Sequence, residues 1–581
     1  MAEYLSPGVY VEEFDSGIKA MEGVGTSTAG FVGMAQKGPI QGLPVLITSM
    51  ADYQRRFGGY LPERTYGDMR FLPYAVEQFF NNGGSSCYVM RVCGDAASAK
   101  GVFVGVDKEN QFLELCASNP GAWGSRLQAK LVAVLKNRAE VTGVDGAKVT
   151  VKDAGSYQEG DIACLQTITT VQTDDKSETS VTLSYHYIDS VEGSAVTLQG
   201  DLPAAENAER FLYLVEWNVA VGDDTAAEQY EGISLNPARS NYAEQAMEKS
   251  QLVTVSVQTD KLKEIGTLLG DAKEPSISIV FEGGNDGEIK PDQSENVQLY
   301  IGEDGSPDQR TGLMAFKTLS DVSIMAIPGI TDKAVQSALV SHCENMGNRF
   351  AILDMPADAK EVSALQEFRE NIDSNYAAMY HPWLQCYDPL VNRNVFLPPS
   401  GSMAGIYGRT DNTRGVHKAP ANEVVRNCTG LSVKYNEAEQ GKLNPKGINL
   451  IRQLPGQGIR VWGARTCSSD GNWKYVNVRR LFIFIEESIK ANTNWAVFEP
   501  NDEILWSRVE GTIRVFLTTQ WRNGALAGTT ADEAFFINIG KSTMTEDDIL
   551  NGRLICVIGV APVRPAEFVV FRITQKMESA Q

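Results

Sequence analysis

His186, His342, His381 and His417 are the four histidines of this 581-residue chain, so imidazole chemistry has few places to occur. They fall in separate stretches and form neither an HExxH nor an HxH pair, which leaves no local frame for zinc. A Ser-His-Asp arrangement is defined by geometry and not by chain order, so spacing alone leaves it open. His342 lies on the apolar face of an expected helix, as a core histidine does, and His417 lies in a Gly/Arg/Asn-rich loop. Gly540-Lys541-Ser542 resembles the end of a P-loop, but that loop requires glycine at 535, where this chain has Phe535. No GxGxxG follows a strand, and no GxSxG elbow occurs. The run from Glu282 through Gly283, Gly284 and Asn285 to Asp286 could offer backbone amides to an ion, but reads first as a tight turn after a strand. Nine cysteines, at 87, 93, 116, 164, 343, 386, 428, 467 and 556, form no CxxC pair and read as free thiols. The chemistry-bearing residues therefore predict no catalytic site, no metal and no cofactor.

The elements that would position any site belong to a chain too long for one core, and two to four domains are expected. Hydrophobic residues at 43% and charged residues at 22% describe a globular protein. No stretch approaches eighteen consecutive apolar residues, so no membrane insertion is expected. The opening MAEYLSPGVYVEEF carries acids where a signal peptide carries bases, which predicts assembly in the cytoplasm. A net charge of −21 argues against nucleic acid as a partner. The charge is uneven. Residues 151–250 hold eighteen acidic and five basic residues, whereas 441–530 hold seven acidic and twelve basic ones.

Hydrophobic periodicity divides the chain into six parts. Residues 1–25 form a polar arm with one extended apolar stretch, Val9-Tyr10-Val11, after the turn pair Pro7-Gly8. Residues 26–95 open a core domain: a buried strand over 28–34, a helix over 73–80 stopped by Asn81-Asn82-Gly83-Gly84, and a strand over 87–92. Residues 96–250 carry alternating Thr/Val-rich runs such as 181–188, which predict an inserted, acidic, antiparallel β domain. Residues 251–440 alternate strand and helix, as in an α/β domain with a largely parallel sheet. The expected strands are 276–281, 322–327 and 350–353; the expected helices are 307–320, one capped by Thr331-Asp332, and 358–372. Residues 441–562 form an α+β domain with two long helices, striped by Val478, Leu481 and Ile485 and by Leu505, Val509, Ile513 and Phe516. A strand over 554–560 follows. Residues 563–581 are a second arm, whose strand from 567 to 573 is apolar at Phe568, Val569, Val570, Phe571 and Ile573 and needs cover on both faces.

Several of these stretches, taken in order, resemble the contractile tail sheath family of bacteriophages and bacterial contractile injection systems. Near the start they are Ser6-Pro-Gly-Val-Tyr-Val-Glu-Glu13, Gly30 to Pro39, Asp52 to Gly58 and Phe79 to Gly84. Towards the end they are Leu443 to Asn449, Gly458 to Thr466, Tyr475 to Leu481 and Arg564-Pro-Ala-Glu567. The resemblance covers residues 1–95 and 256–581. It implies an α/β multidomain subunit whose middle domain is similar to a subtilisin-like fold without its catalytic residues. It further implies hexameric rings of this chain stacked around an inner tube protein, with baseplate and terminator proteins at the ends. Such an array would contract from a metastable extended state within a phage virion tail or a bacterial injection particle.

The residues themselves fit that picture. Val9, Tyr10 and Val11, and the Phe568 to Ile573 strand, suit strand exchange between subunits, in which main-chain hydrogen bonds join the chains. The basic balance of 441–530 suggests a surface that grips the tube, with Lys490, Arg508 and Arg522 as contacts beside Lys474, Arg479, Arg480 and Arg514. Salt bridges within the subunit, from Arg479 and Arg480 to Glu486 or Glu487, account for part of that set equally well. The competing classes are a cytoplasmic α/β hydrolase-like enzyme and another tail or baseplate protein.

Overall fold

A computed structural model describes residues 21–104, 111–173, 176–202, 208–269, 275–290 and 292–570. Val9, Tyr10, Val11, Phe571 and Ile573 lie outside the described residues.

The continuous apolar runs of the sequence become one eight-stranded sheet. Its strands are β1 (Ala29–Met34), β2 (Val45–Ile47), β3 (Cys87–Val92), β4 (Ile324–Ala326), β5 (Phe350–Asp354), β6 (Ala377–His381), β7 (Ile448–Leu454) and β8 (Gly458–Val461). The order is β2-β3-β1-β4-β5-β6-β7-β8. The six inner strands are parallel, and β2 and β8 close the edges antiparallel. Every residue of β1, β5 and β6 is buried, as expected of parallel strands covered on both faces. Alternation splits them between two cores. Phe350 and Ile352 face α1 (Leu72–Asn81) and α3 (Ser400–Arg414), whereas Ala351 and Leu353 face α2 (Lys333–Met346).

Local chemistry explains the helix ends and crossings. The Asp332 carboxylate caps α2 by accepting from the Ala334 and Val335 amides, and Gly347 ends it in the left-handed region. His342 is buried on the same helix and contacts the Arg349 guanidinium at 3.1 Å, so it is a core histidine. Glycine lets α3 cross α1 closely: a Cβ at Gly401 would stand 2.4 Å from the Ala75 carbonyl oxygen. Two expected helices are shorter than the sequence suggests. Over 307–320 there is only a 3-10 turn at Gly312–Thr318, because Gly312 has φ of 50° and makes a bend that no α-helix contains. The helix expected over 358–372 is Val362–Arg369.

Between β3 and β4 the chain builds a second, antiparallel body. Strands Gln128–Asp145, Lys148–Val151, Ile162–Thr173, Lys176–Glu192, Ala195–Leu198 and Glu209–Gly222 pair in a closed cycle, because Glu209–Gly222 bonds to both Ile162–Thr173 and Gln128–Asp145. Trp217 is fully buried in its core. This body extends past the expected boundary at 250. Val253–Val257 pairs with Gln111–Ala117, and Ser276–Val280 pairs with Gln128–Asp145. The strand expected to begin the α/β alternation at 276 therefore belongs to the inserted body. Its apolar run is the same for either sheet; only long-range pairing decides. The chain leaves and rejoins the main sheet side by side, since Ala97 and Asn285 exchange two N–H···O bonds of 3.1 Å. Asp286 pins this crossing by accepting from the Ala122 amide at 3.0 Å and lying 3.8 Å from Arg91. The 282–286 run is thus a structural turn.

The C-terminal unit packs α4 (Val476–Asn492) and α5 (Glu503–Arg522) against an antiparallel pair, β9 (Phe535–Ile539) and β10 (Cys556–Val560). Leu481, Ile485, Leu505, Val509, Ile513, Phe516 and Leu517 form its core, which follows the expected stripes. Residues 448–461 are part of the main sheet, so this unit starts after them and not at 441.

Candidate assembly site

Among the described residues, a serine meets a histidine at His186, whose Nε2 lies 2.8 Å from Ser184 Oγ and whose Nδ1 lies 3.0 Å from the Gln199 carbonyl, and a serine meets an aspartate at the carboxyl end of β5. The Ser400 hydroxyl and amide both donate to the Asp354 carboxylate, at 2.6 and 2.8 Å, and the Gly329 amide donates at 2.9 Å. His381 turns elsewhere, with Nε2 3.0 Å from the Tyr435 hydroxyl. Ser400, Asp354 and His381 are buried. Burial pushes the Asp354 carboxyl up to about 6 against the pull of its hydrogen bonds, and pushes the His381 imidazole down to about 4. The hydroxyl is spent on a carboxylate, and the imidazole touches neither, so the cluster ties β5 to the start of α3 and is not a nucleophile–base pair. Among the described residues, no group of three His, Cys, Asp or Glu side chains stands close enough to hold a metal ion. No helix of the described residues is long and apolar enough to cross a membrane. Lys541 of the glycine-lysine-serine turn pairs with Glu503 at 3.3 Å.

The terminal segments are more informative: one lies along α4, and the other is clamped beside its first turn, where Asn477 donates to the Val563 carbonyl at 3.3 Å. Residues 22–26 run along it from its last residue backwards. The Asn492 side chain donates to the Glu22 carbonyl at 2.8 Å, the Val24 amide donates to Ser488 Oγ at 3.1 Å, and Arg480 donates to the Thr26 carbonyl at 2.8 Å. Gly23 lies so close that an added Cβ would stand 2.7 Å from the Phe484 ring. The C-terminal segment is held at the other end of α4. Arg465 forks onto the Glu567 carboxylate at 2.6 and 2.8 Å, Asn444 donates at 2.7 Å and Tyr475 at 3.2 Å. Burial alone would raise the Glu567 carboxyl, but the bonds from Arg465 and Asn444 outweigh it and hold the group below the usual range. Phe568, Val569 and Val570 follow at once, 74%, 69% and 78% exposed and in no strand within the chain. Sequence reasoning put Glu567 inside a strand and missed its clamp. The available signal was one acid in the Arg564 to Glu567 motif and one lone arginine in the Gly458 to Thr466 motif.

The cations expected on outward helix faces divide. Arg479 and Arg480 are buried: Arg479 pairs with Glu486 at 3.0 Å, and Arg480 forks onto Asp411 at 2.6 and 3.0 Å. Both are paired within the chain: for Arg479 this is the expected alternative of a salt bridge to Glu486, whereas Arg480 takes Asp411 in place of Glu486 or Glu487. Arg514 pairs with Glu510 at 2.7 Å, and Arg508 lies over the Trp495 ring at 4.7 Å. Lys490 is exposed beside Glu487, and Arg522 is exposed at the end of α5. The basic excess is also misplaced. Lys442, Lys446, Arg452, Arg460 and Arg465 supply all of it and belong to the main sheet and its approach, while residues 468–530 hold seven acids and seven bases. One apolar feature stands out between α4 and α5, where Phe498 is fully exposed with φ of 67° beside exposed Val497.

Residues 303–467 match the family model described as the phage tail sheath protein central domain, and 468–576 match the phage tail sheath C-terminal domain. The chain is 26% identical over 289 residues to a putative prophage major tail sheath protein of Pseudomonas aeruginosa (strain UCBPP-PA14), covering 48% of this chain and 72% of that one. It is also 26% identical over 274 residues to the tail sheath protein of Escherichia phage P2, covering 44% and 68%. Among solved structures, the PVC sheath complex of an extracellular contractile injection system, in its contracted state, is similar over 99% of both chains with a TM-score of 0.53 at 21% identity. The contracted helical sheath of the anti-feeding prophage is similar over 99% of this chain and 100% of that one, with a TM-score of 0.51 at 22% identity. These two likenesses speak for the fold, and the relatives in sequence speak for the class. With two sheath domains matched in tandem over residues 303–576 and tail sheath proteins as its relatives in sequence, the chain is similar to the contractile tail sheath proteins, a family of structural proteins.

Proposed function

We propose that this chain polymerises as hexameric rings stacked around an inner tube, and that the array contracts from a metastable extended state to drive the tube through a target envelope. What supports this is a mismatch carried on one chain. Each terminal segment carries an apolar stretch with the sequence pattern of a strand, while β9 and β10 pair only with each other among the described residues. The outer face of that pair exposes Phe536 and Val557. Two strands alone are marginal in water, and strands from other copies would add main-chain bonds and apolar cover. Because the giving and receiving surfaces differ, the contact is heterologous and propagates. Baseplate and terminator proteins would cap the ends of the array in a phage tail or injection particle.

The test removes the segments without disturbing their roots. Deleting 1–20 or 568–581 should leave a monomer with unchanged melting temperature that forms no tubes in negative stain. Tubes of normal length from either truncated chain would falsify strand exchange as the glue.

The inner tube contact is assigned to the C-terminal unit, at Lys490, Arg508 and Arg522. Of these, Lys490 and Arg522 reach solvent and Arg508 has its guanidinium on Trp495. Exposed pairs contribute at most about 1 kcal/mol each and weaken with salt, which suits a grip that holds and then releases. Reversing each charge singly, with glutamate, should give sheaths trapped in the contracted state or tubes left bare. Normal extended particles from all three variants move the contact elsewhere.

A further inference from the structure

We infer that α4 is a rigid spacer that fixes the two terminal segments at a set separation, with Asn492, Ser488 and Phe484 positioning one and Arg465, Asn444 and Tyr475 positioning the other. The inference rests on the proposal that these segments join copies, and it adds what holds them in place.

The argument begins with where the contacts fall. Glu22 is held by Asn492, the last residue of α4, and Glu567 is held by Tyr475, the residue that precedes its first. The helix has 17 residues, so at 1.5 Å per residue the two roots stand about 25 Å apart along its axis. Between them the helix is straightened from both sides: Leu481 and Ile485 pack into the C-terminal core, and Ile483 packs into the core of the main sheet. The roots are also built differently from ordinary loop ends. At one, two side-chain amide and hydroxyl contacts and a ring packed on Gly23 hold an extended backbone. At the other, a bidentate guanidinium and two neutral donors converge on one carboxylate, with Arg465 7% and Glu567 19% exposed. A bidentate fork fixes direction as well as position, which a single exposed ion pair does not. A segment that only needed tethering would need neither. In an array of identical copies, any angular freedom at a root is multiplied along the stack, so a fixed root sets the spacing of neighbours.

The experiment uses the full chain with single changes at each root: Glu567→Gln, which keeps the shape and removes the charge; Arg465→Lys, which keeps the charge and removes the fork; and Gly23→Leu, which must push against Phe484. Asn492→Ala is the milder partner of the last, should the leucine variant not fold. Each folded variant is examined as a monomer by melting and as an assembly by cryo-electron microscopy, beside the deletion of 1–20. The expected result is a melting temperature within about 4 °C of the parent, with tube yield reduced at least about tenfold or subunit rise and twist altered or smeared. Arg465→Lys should lie between the parent and Glu567→Gln. Tubes with the parent's rise, twist and yield from Glu567→Gln and from whichever of Gly23→Leu and Asn492→Ala folds would overturn the spacer role. In that case the deletion of 1–20 separates the causes: tubes from the deleted chain mean that the assembly reading itself has failed, and no tubes mean that the segments are needed but their roots are not.

Discussion

Replacing Asp411 with alanine should destabilise the chain by about 3–5 kcal/mol, because it strands a buried guanidinium. The Arg480 side chain is 4% exposed and Asp411 3%. Around them meet three parts of the molecule: Asp411 near the end of α3, Arg480 on α4, and Thr26, whose hydroxyl donates to Asp411 at 2.7 Å and whose carbonyl accepts from Arg480. Arg480 also lies over the Tyr407 ring at 4.7 Å. Without the carboxylate, the cation keeps one carbonyl and one aromatic face in a site with little water. A loss of this size is a large part of the roughly 5–15 kcal/mol that holds an ordinary domain together. The double variant Asp411→Leu with Arg480→Met should recover most of it, since removing both charges removes the desolvation penalty. Urea unfolding followed at tryptophan reads both. A single variant within about 1 kcal/mol of the parent would mean that the pair does not join these parts.

The second large effect concerns where the inserted body ends. Replacing residues 98–284 with an Asn-Gly pair should give a soluble, folded remainder, whereas replacing 96–250 with a flexible linker should give aggregated protein. Ala97 and Asn285 form a hydrogen-bonded antiparallel pair, so their Cα atoms stand about 5.5 Å apart and a two-residue type I′ turn closes the gap. That cut also keeps Asp286 beside Arg91. The shorter cut leaves Val253–Val257 and Ser276–Val280 without the strands they pair with, and exposes Ile277 and Ile279 on an open edge. Soluble yield from the two chains should differ by more than about tenfold. If the remainder assembles into tubes, the acidic body lies on the outer surface of the array. That placement keeps its −13 charge over 151–250 away from a crowded axis, where like charges repel most strongly. Loss of tubes from a folded remainder argues against it.

These boundaries mark what could be read from residues alone. The strands β1, β3 and β5, the Asp332 cap and the two C-terminal stripes were legible because short-range chemistry sets them: two-sided burial, an N-cap, a repeat of 3.6. The strand at 276 was legible as a strand and illegible as to its sheet, since pairing across roughly 150 residues leaves no local trace. The same limit applied to charge. A count over 441–530 gave a basic surface, yet Arg465 and Arg480 are consumed by Glu567 and Asp411, residues 102 and 69 positions away. Composition reports how many charges a segment carries; which of them reach water depends on partners that the fold brings from elsewhere. The candidate site was hidden for that reason. Its apolar strand residues were visible, and the polar clamps beneath them were not.

The placing of the two terminal segments at opposite ends of one helix has a mechanical consequence. Where tension enters a subunit through one segment and leaves through the other, it crosses α4 lengthwise, reaches Glu567 through Tyr475 and through Arg465 and Asn444 at the edge of the main sheet, and bypasses the inserted body. Load then falls on hydrogen bonds lying nearly parallel to the pull, and on the clamps at Asn492 and Arg465 in series with them. The weakest link along that line is the side-chain grip on Glu22, held by an exposed amide, and not the guanidinium fork on Glu567. An overloaded array would part at its N-terminal roots, while the large bodies hung beside the load path are free to vary in shape and charge without weakening it.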